Sequence, residues 1–206
     1  LEKPITVLNN LERRTVTLFF KNREPSEFYF RGGITWPKIV ERAGGRDFEG
    51  FALLGGLNIK TKKVEIFEQR SFLTIEHILK QETDKKQEIE YHGLGPWFTE
   101  LWSKYRAKTY YWFQDYELNK RHLLEVLRSE WIIPKPVFRE VPWADDSEAQ
   151  MLVWRYVKLN KLLIDKESQL AQDLMLVEKG EKESMPSVHS LQCLLTGLDL
   201  HPNSKV

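Results

Sequence analysis

Phe51-Ala52-Leu53-Leu54-Gly55-Gly56-Leu57-Asn58-Ile59-Lys60-Thr61-Lys62-Lys63-Val64-Glu65-Ile66-Phe67 places an apolar run, a lysine-rich turn and a β-prone run in immediate succession. Short apolar runs rich in β-branched and aromatic residues, bounded by turn residues, read as strands, and a polar link between two of them makes a hairpin. The sequence therefore predicts strands over 51–60 and 64–67, with Lys60, Lys62 and Lys63 at a tip that water can reach. Gly55-Gly56 inside the first strand reads as a bulge.

Working outward, the upstream residues repeat the pattern. Thr15-Val16-Thr17-Leu18-Phe19-Phe20 and Glu27-Phe28-Tyr29-Phe30-Arg31 flank the turn material of Lys21 to Ser26, which predicts a first hairpin. A short helix follows, with Thr35 as its cap, Pro37 in its first turn and Gly44-Gly45 as its stop. Downstream, Ile75, Ile78 and Leu79 stand at helical spacing within Thr74 to Lys80. Residues 1–80 thus read as a β-β-α-β-β-α unit.

Residues 81–96 change character. Glu82, Asp84, Lys85, Lys86, Glu88 and Glu90 make a polar linker that ends in Gly93-Leu94-Gly95-Pro96. From Trp97, the aromatics Phe98, Trp102, Tyr105, Trp112 and Tyr116, with Thr109 among them, recur every three or four residues, which predicts one helical stripe. A second amphipathic helix covers Asn119 to Trp131. Pro134, Pro136 and Pro142 force 132–143 into an extended strap. Asp145 and Glu148 then form a capping box for a long helix whose seam, Leu152, Tyr156, Leu159, Leu163, Leu170 and Val177, approaches a heptad. Ser190 to Leu195 is a last short helix. The expected fold is α+β: a small antiparallel sheet of two hairpins with two short helices, followed by a mainly helical, aromatic-rich C-terminal half over 97–206.

Composition narrows the function classes. In 206 residues, 41% apolar and 12% aromatic, there is enough for a sizeable core. Lys and Arg number 31 against 30 Asp and Glu, so no whole-molecule field directs the chain to a polyanion, though a balanced total leaves room for a local patch. The single cysteine, Cys193, rules out an internal disulfide and multi-cysteine zinc sites. No apolar run approaches the roughly 18 residues of a membrane span. The opening residues carry no signal-peptide pattern, which predicts an intracellular protein, and the first residue is Leu, as in a trimmed chain or a piece of something longer.

Catalytic signatures are scarce. The chain has no phosphate-binding Gly-x-x-x-x-Gly-Lys-Ser/Thr loop and no Gly-x-Ser-x-Gly elbow. Its histidines, His77, His92, His122, His189 and His201, lack zinc-protease or di-iron spacing, so no metal or cofactor is expected. One weak catalytic arrangement remains, a Mg²⁺-dependent nuclease using Asp47 and Glu65, because oxygen ligands on adjacent strands hold the metal against a phosphate. Phe67 stands where that pattern expects Lys.

The segment 97–122 offers an interaction surface. Trp97, Tyr110 and Tyr111 interleave with Lys104, Arg106, Lys108, Lys120 and Arg121, and its apolar residues exceed one helical stripe. Surplus apolar surface on a helix is buried between layers or meets a partner. The leading expectation is a non-catalytic subunit or adaptor that binds a protein partner, or itself, through the helical half. The alternative is nucleic-acid binding, since aromatic faces stack on bases while cations neutralise phosphates, with Lys60, Lys62 and Lys63 assisting. The nuclease stands third.

Overall fold

A computed structural model describes residues 25–36, 50–72, 82–84, 89–91, 94–113, 128, 134–141, 146–178 and 185–199. In chain order the elements are β1 (Phe28–Thr35), β2 (Gly50–Asn58), β3 (Val64–Phe72), β4 (Glu82–Asp84), β5 (Ile89–Tyr91), α1 (Leu94–Tyr105), β6 (Thr109–Phe113), β7 (Val137–Val141), α2 (Asp146–Lys158), β8 (Leu162–Leu163), α3 (Gln169–Glu178) and α4 (Pro186–Asp199). Six strands form one mixed sheet in the order β7-β6-β1-β2-β3-β8, and β4 pairs with β5 apart from it.

The centre of the sheet is the antiparallel meander β1-β2-β3, which contains the hairpin read from 51–67. Its register slips between Leu54 and Gly55: Leu54 faces Glu68 while Gly55 faces Ile66. The extra residue is therefore Phe67: the bulge falls where the glycine pair begins, with its additional residue on the facing strand β3. Both flanks are parallel, with β6 on β1, β7 on β6 and β8 on β3.

Helices cover the two faces of the sheet. Alternate residues Ala52 and Leu54, with Phe28, Phe30, Phe67 and Phe72, meet Trp97, Phe98, Leu101 and Tyr105 of α1. Phe51, Leu53, Leu57 and Val64 point the other way, into Val153 and Val157 of α2, Leu170 and Leu174 of α3 and Leu191, Leu194 and Leu195 of α4. The period of two along β2 feeds two separate cores, and this explains why the strand is buried throughout. α4 lies close to the centre of the sheet. Ser190 Oγ donates to the Phe51 carbonyl at 2.8 Å and sits 2.9 Å from Thr35 Oγ1. Asp173 of α3 accepts from Ser187 Oγ at 2.5 Å and from Gln169 Nε2 at 2.9 Å, so its buried carboxylate is satisfied.

These observations correct the expected fold. The sheet is neither small nor wholly antiparallel, and the helical half is met only in part: after residue 97 helices supply most of the described regular structure, but β6, β7 and β8 alternate with them and join the sheet. The predicted aromatic helix stops at Tyr105, Arg106 takes a left-handed φ of 56°, and the chain returns as a strand. Tyr110 to Phe113 are buried on both faces, so no alternation betrays that strand. The predicted long helix breaks as well. Asn160, at φ 52°, follows α2, donating to the Val157 carbonyl at 3.0 Å while Lys161 donates to that of Tyr156 at 2.8 Å. That pair of bonds is a Schellman cap. The strap 132–143 contains the edge strand β7, and 81–96 contains β4, β5 and the start of α1. Thr35 ends β1. The strand over 15–20, the helices over 37–45, 74–80 and 119–131, and Asp145 lie outside the described residues, apart from Arg128.

Candidate functional site

Strand direction decides what meets at the ends of the sheet. β1 runs against β2, β2 against β3, and β6, β7 and β8 parallel their neighbours, so β1, β3, β6, β7 and β8 all begin where β2 finishes. Four approaches to that end carry cations. The β2–β3 turn supplies Lys60, Lys62 and Lys63; the end of α1 and its link to β6 supply Lys104, Arg106 and Lys108; the approach to β7 supplies Lys135; α2 and its link to β8 supply Lys158 and Lys161.

Backbone bonds continue past the strands and tie these approaches together. The amide of Val64 donates to the Lys161 carbonyl at 2.7 Å, that of Val137 to the Lys108 carbonyl at 2.7 Å, and that of Ile59 to the Glu27 carbonyl at 2.9 Å. Within the turn, Asn58 Oδ1 accepts from the amides of Lys60 at 3.0 Å and Thr61 at 2.9 Å. Lys62 takes a left-handed φ of 57° there. The basic groups thus sit on a fixed frame about 24 Å wide, five strand spacings. Two acids here are engaged, Glu27 by Lys60 at 2.6 Å and Glu100 by Lys104 at 2.5 Å. Asp199, at the end of α4, is close enough to Tyr156 to help raise its pKa after the larger effect of burial. The carboxyl ends of α1 and α2 favour nearby cations through their dipoles, which is a structural reason for Lys104 and Lys158 to stand where they do.

The structure separates the residues singled out from the sequence. Trp97, Tyr110 and Tyr111 are 2%, 0% and 5% exposed and belong to the cores. Lys104, Arg106 and Lys108 are exposed at the basic end, and the Arg106 guanidinium lies 5.6 Å from the centre of the half-buried Trp102 ring. Lys120, Arg121 and Asp47 lie outside the described residues. Glu65 is fully buried on β3, opposite Gly56 and beside Leu163. Among the described residues no group of three His, Cys, Asp or Glu is placed to hold a metal, and no helix is long and apolar enough to cross a membrane. Lys135, Lys158 and Lys161 were not read as site residues. The cue available for the last two was Asn160, a helix stop between paired lysines.

A second polar cluster lies on the α1 side. Tyr105 donates its hydroxyl to Glu68 Oε1 at 2.7 Å, and Lys104 Nζ is 3.9 Å from the same oxygen. Burial first, then the Glu68 carboxylate, push the Tyr105 phenol far above its ordinary 10.0, and burial alone does so for Tyr110. Burial likewise raises the Cys193 thiol above 9.0. An acid whose folded pKa is raised keeps its proton in the native state while the unfolded chain releases it. The stability is complete below the unfolded pKa and is lost as pH rises. The urea midpoint is therefore expected to decline from pH 9.0 and more steeply above 10.0, with a weaker decline in Tyr105→Phe. A midpoint unchanged a full unit above 10.0 would contradict these environments.

No protein-family model matches the chain, and no curated protein matches it at a significant level.

Proposed function

We propose that the chain binds nucleic acid through the basic end of its sheet. The observation that carries this reading is the convergence of Lys62, Lys63, Arg106, Lys108, Lys158 and Lys161, from distant parts of the sequence, on one backbone-tied edge. A total charge of +1 means that such a concentration is local, and local positive potential attracts phosphates and raises encounter rates. Phosphate contacts, rather than base stacking on Trp97, Tyr110 and Tyr111, supply the affinity in this arrangement. Anisotropy of labelled oligonucleotides at two or more salt concentrations tests the reading. With five or six phosphates contacted, log K falls against log salt with a slope of about −5. Affinity that ignores salt, or no binding at low salt, removes the proposal.

A protein partner or self-association is the second reading, and Met151 is the observation that favours it. It is 69% exposed on the outer side of α2, an apolar group with no cover among the described residues. If copies associate there, sedimentation shows a concentration-dependent dimer that Met151→Asp disperses. A monomer at every concentration removes self-association.

A further inference from the structure

The basic end is not uniformly polar. Ile59 is 53% exposed and Leu159 is 55% exposed, and each stands among lysines: Ile59 before Lys60, Leu159 between Lys158 and Lys161. Both have backbone hydrogen bonds that fix their place in the chain. Ile59 is anchored by its amide to the Glu27 carbonyl, just after the Asn58 side chain has shaped the turn. Leu159 donates to the Arg155 carbonyl at 3.0 Å and occupies the last position before the left-handed Asn160 of the Schellman cap. β2 and β8 flank β3, so the two residues stand at the same end of the sheet, on connections that serve strands two places apart.

The kind of side chain discriminates between ligands. A single-stranded site stacks bases on aromatic rings, yet the exposed large hydrophobics among the described residues are Ile59, Val137, Met151 and Leu159, none aromatic, and the half-buried Trp102 at this end has the Arg106 guanidinium 5.6 Å from its ring centre. Exposed aliphatic tips framed by cations suit a duplex instead. They enter between stacked base pairs while the lysines hold the phosphates on either side, and the unstacking bends the helix axis. Duplex RNA, with its deep, narrow major groove and shallow minor groove, gives such tips less to enter.

Resting on the nucleic-acid reading above, we infer that the basic end takes double-stranded DNA and that Ile59 and Leu159 act as paired wedges that bend it. The test uses a DNA duplex carrying a fluorescence energy-transfer pair at its ends, with 2-aminopurine at internal steps. The probes are the protein and its Ile59→Ser, Leu159→Ser double variant, whose altered side chains are both exposed. The expected result is that the protein raises energy transfer and 2-aminopurine emission, whereas the variant binds within a few-fold in affinity, with the same salt slope, and leaves both signals unchanged. Salt-sensitive binding with no bending, or bending that survives in the variant, overturns the wedge inference and leaves nucleic-acid binding standing. Tighter binding to single strands than to duplex overturns the choice of DNA duplex. Failure to bind any nucleic acid at low salt overturns the underlying reading, and if phosphatidylcholine–phosphatidylserine vesicles are bound instead, the tips and lysines serve an anionic membrane surface.

Discussion

Gly33→Ala is expected to destabilise the protein by about 3 kcal/mol, the upper part of the range for overpacking a well-filled core. Gly33 lies in β1, opposite Leu53 and beside Tyr111. A Cβ there falls 1.9 Å from the Ser190 carbonyl oxygen and 3.0 Å from the Leu194 amide nitrogen. Both are backbone atoms of α4, so no rotamer change relieves the clash. The helix must lift, which breaks the 2.8 Å bond from Ser190 Oγ to the Phe51 carbonyl and loosens Leu191, Leu194 and Leu195 over Phe51 and Leu53. Gly56→Ala provides the comparison. Its nearest neighbours are ring atoms of Phe67, Phe28 and Phe30 at 2.9 to 3.1 Å, which can shift, so about 1 kcal/mol is expected. Urea unfolding of the two variants checks the difference, and equal losses would mean that α4 does not sit this close to the sheet.

On the proposed nucleic-acid reading, reversing Lys62, Lys63 and Lys161 to Glu together is expected to reduce affinity for nucleic acid by about a hundredfold or more at low salt. If all three contact phosphate, the magnitude of the salt slope falls by about 2.7, at about 0.9 per contact. The three come from two connections that meet where Val64 bonds to Lys161. Their structural roles are carried by backbone: the Lys63 carbonyl accepts from Asn58 at 2.8 Å and the Lys161 carbonyl from Val64 at 2.7 Å, so the substitutions leave those bonds in place. Lys166→Glu, beyond the far end of β8, is the matched control and should leave the slope unaltered. Anisotropy against salt for the protein and both variants checks this. An unaltered slope in the triple variant would move the binding surface elsewhere.

The hairpin over 51–67 was legible because its runs are short, its turn is polar and its tip is charged. Helical spacing also located Phe98, Trp102 and Tyr105 correctly, since these lie within α1. The same spacing carried the reading too far. Thr109 to Phe113 continue the three-and-four rhythm by coincidence, and a run buried on both faces offers no alternation to oppose it. In the predicted long helix, Leu159 fits the heptad seam yet is 55% exposed, because Asn160 ends α2 one residue later. The lysines of the hairpin tip and the cations Lys104, Arg106 and Lys108 were visible as local features. Their meeting with Lys158 and Lys161 was not, because it depends on parallel pairings between residues far apart in the chain, which local patterns do not specify.

The position of α4 has a consequence for how the chain acquires its structure. It is the last of the described elements, yet it lies over the middle strands, with Ser190 against Phe51 and a glycine beneath its backbone at Gly33. During synthesis, the face formed by Phe51, Leu53, Leu57 and Val64 must wait for residues 186–199 to leave the ribosome before that helix can cover it. Pairing of β6 to β1 and of β8 to β3 waits on late-made segments in the same way. Such distant closures slow folding and leave apolar surface open to wrong neighbours meanwhile. The nascent protein is thus committed to completing its architecture after translation has passed α4, and a stalled chain lacking that helix is a natural client for chaperones.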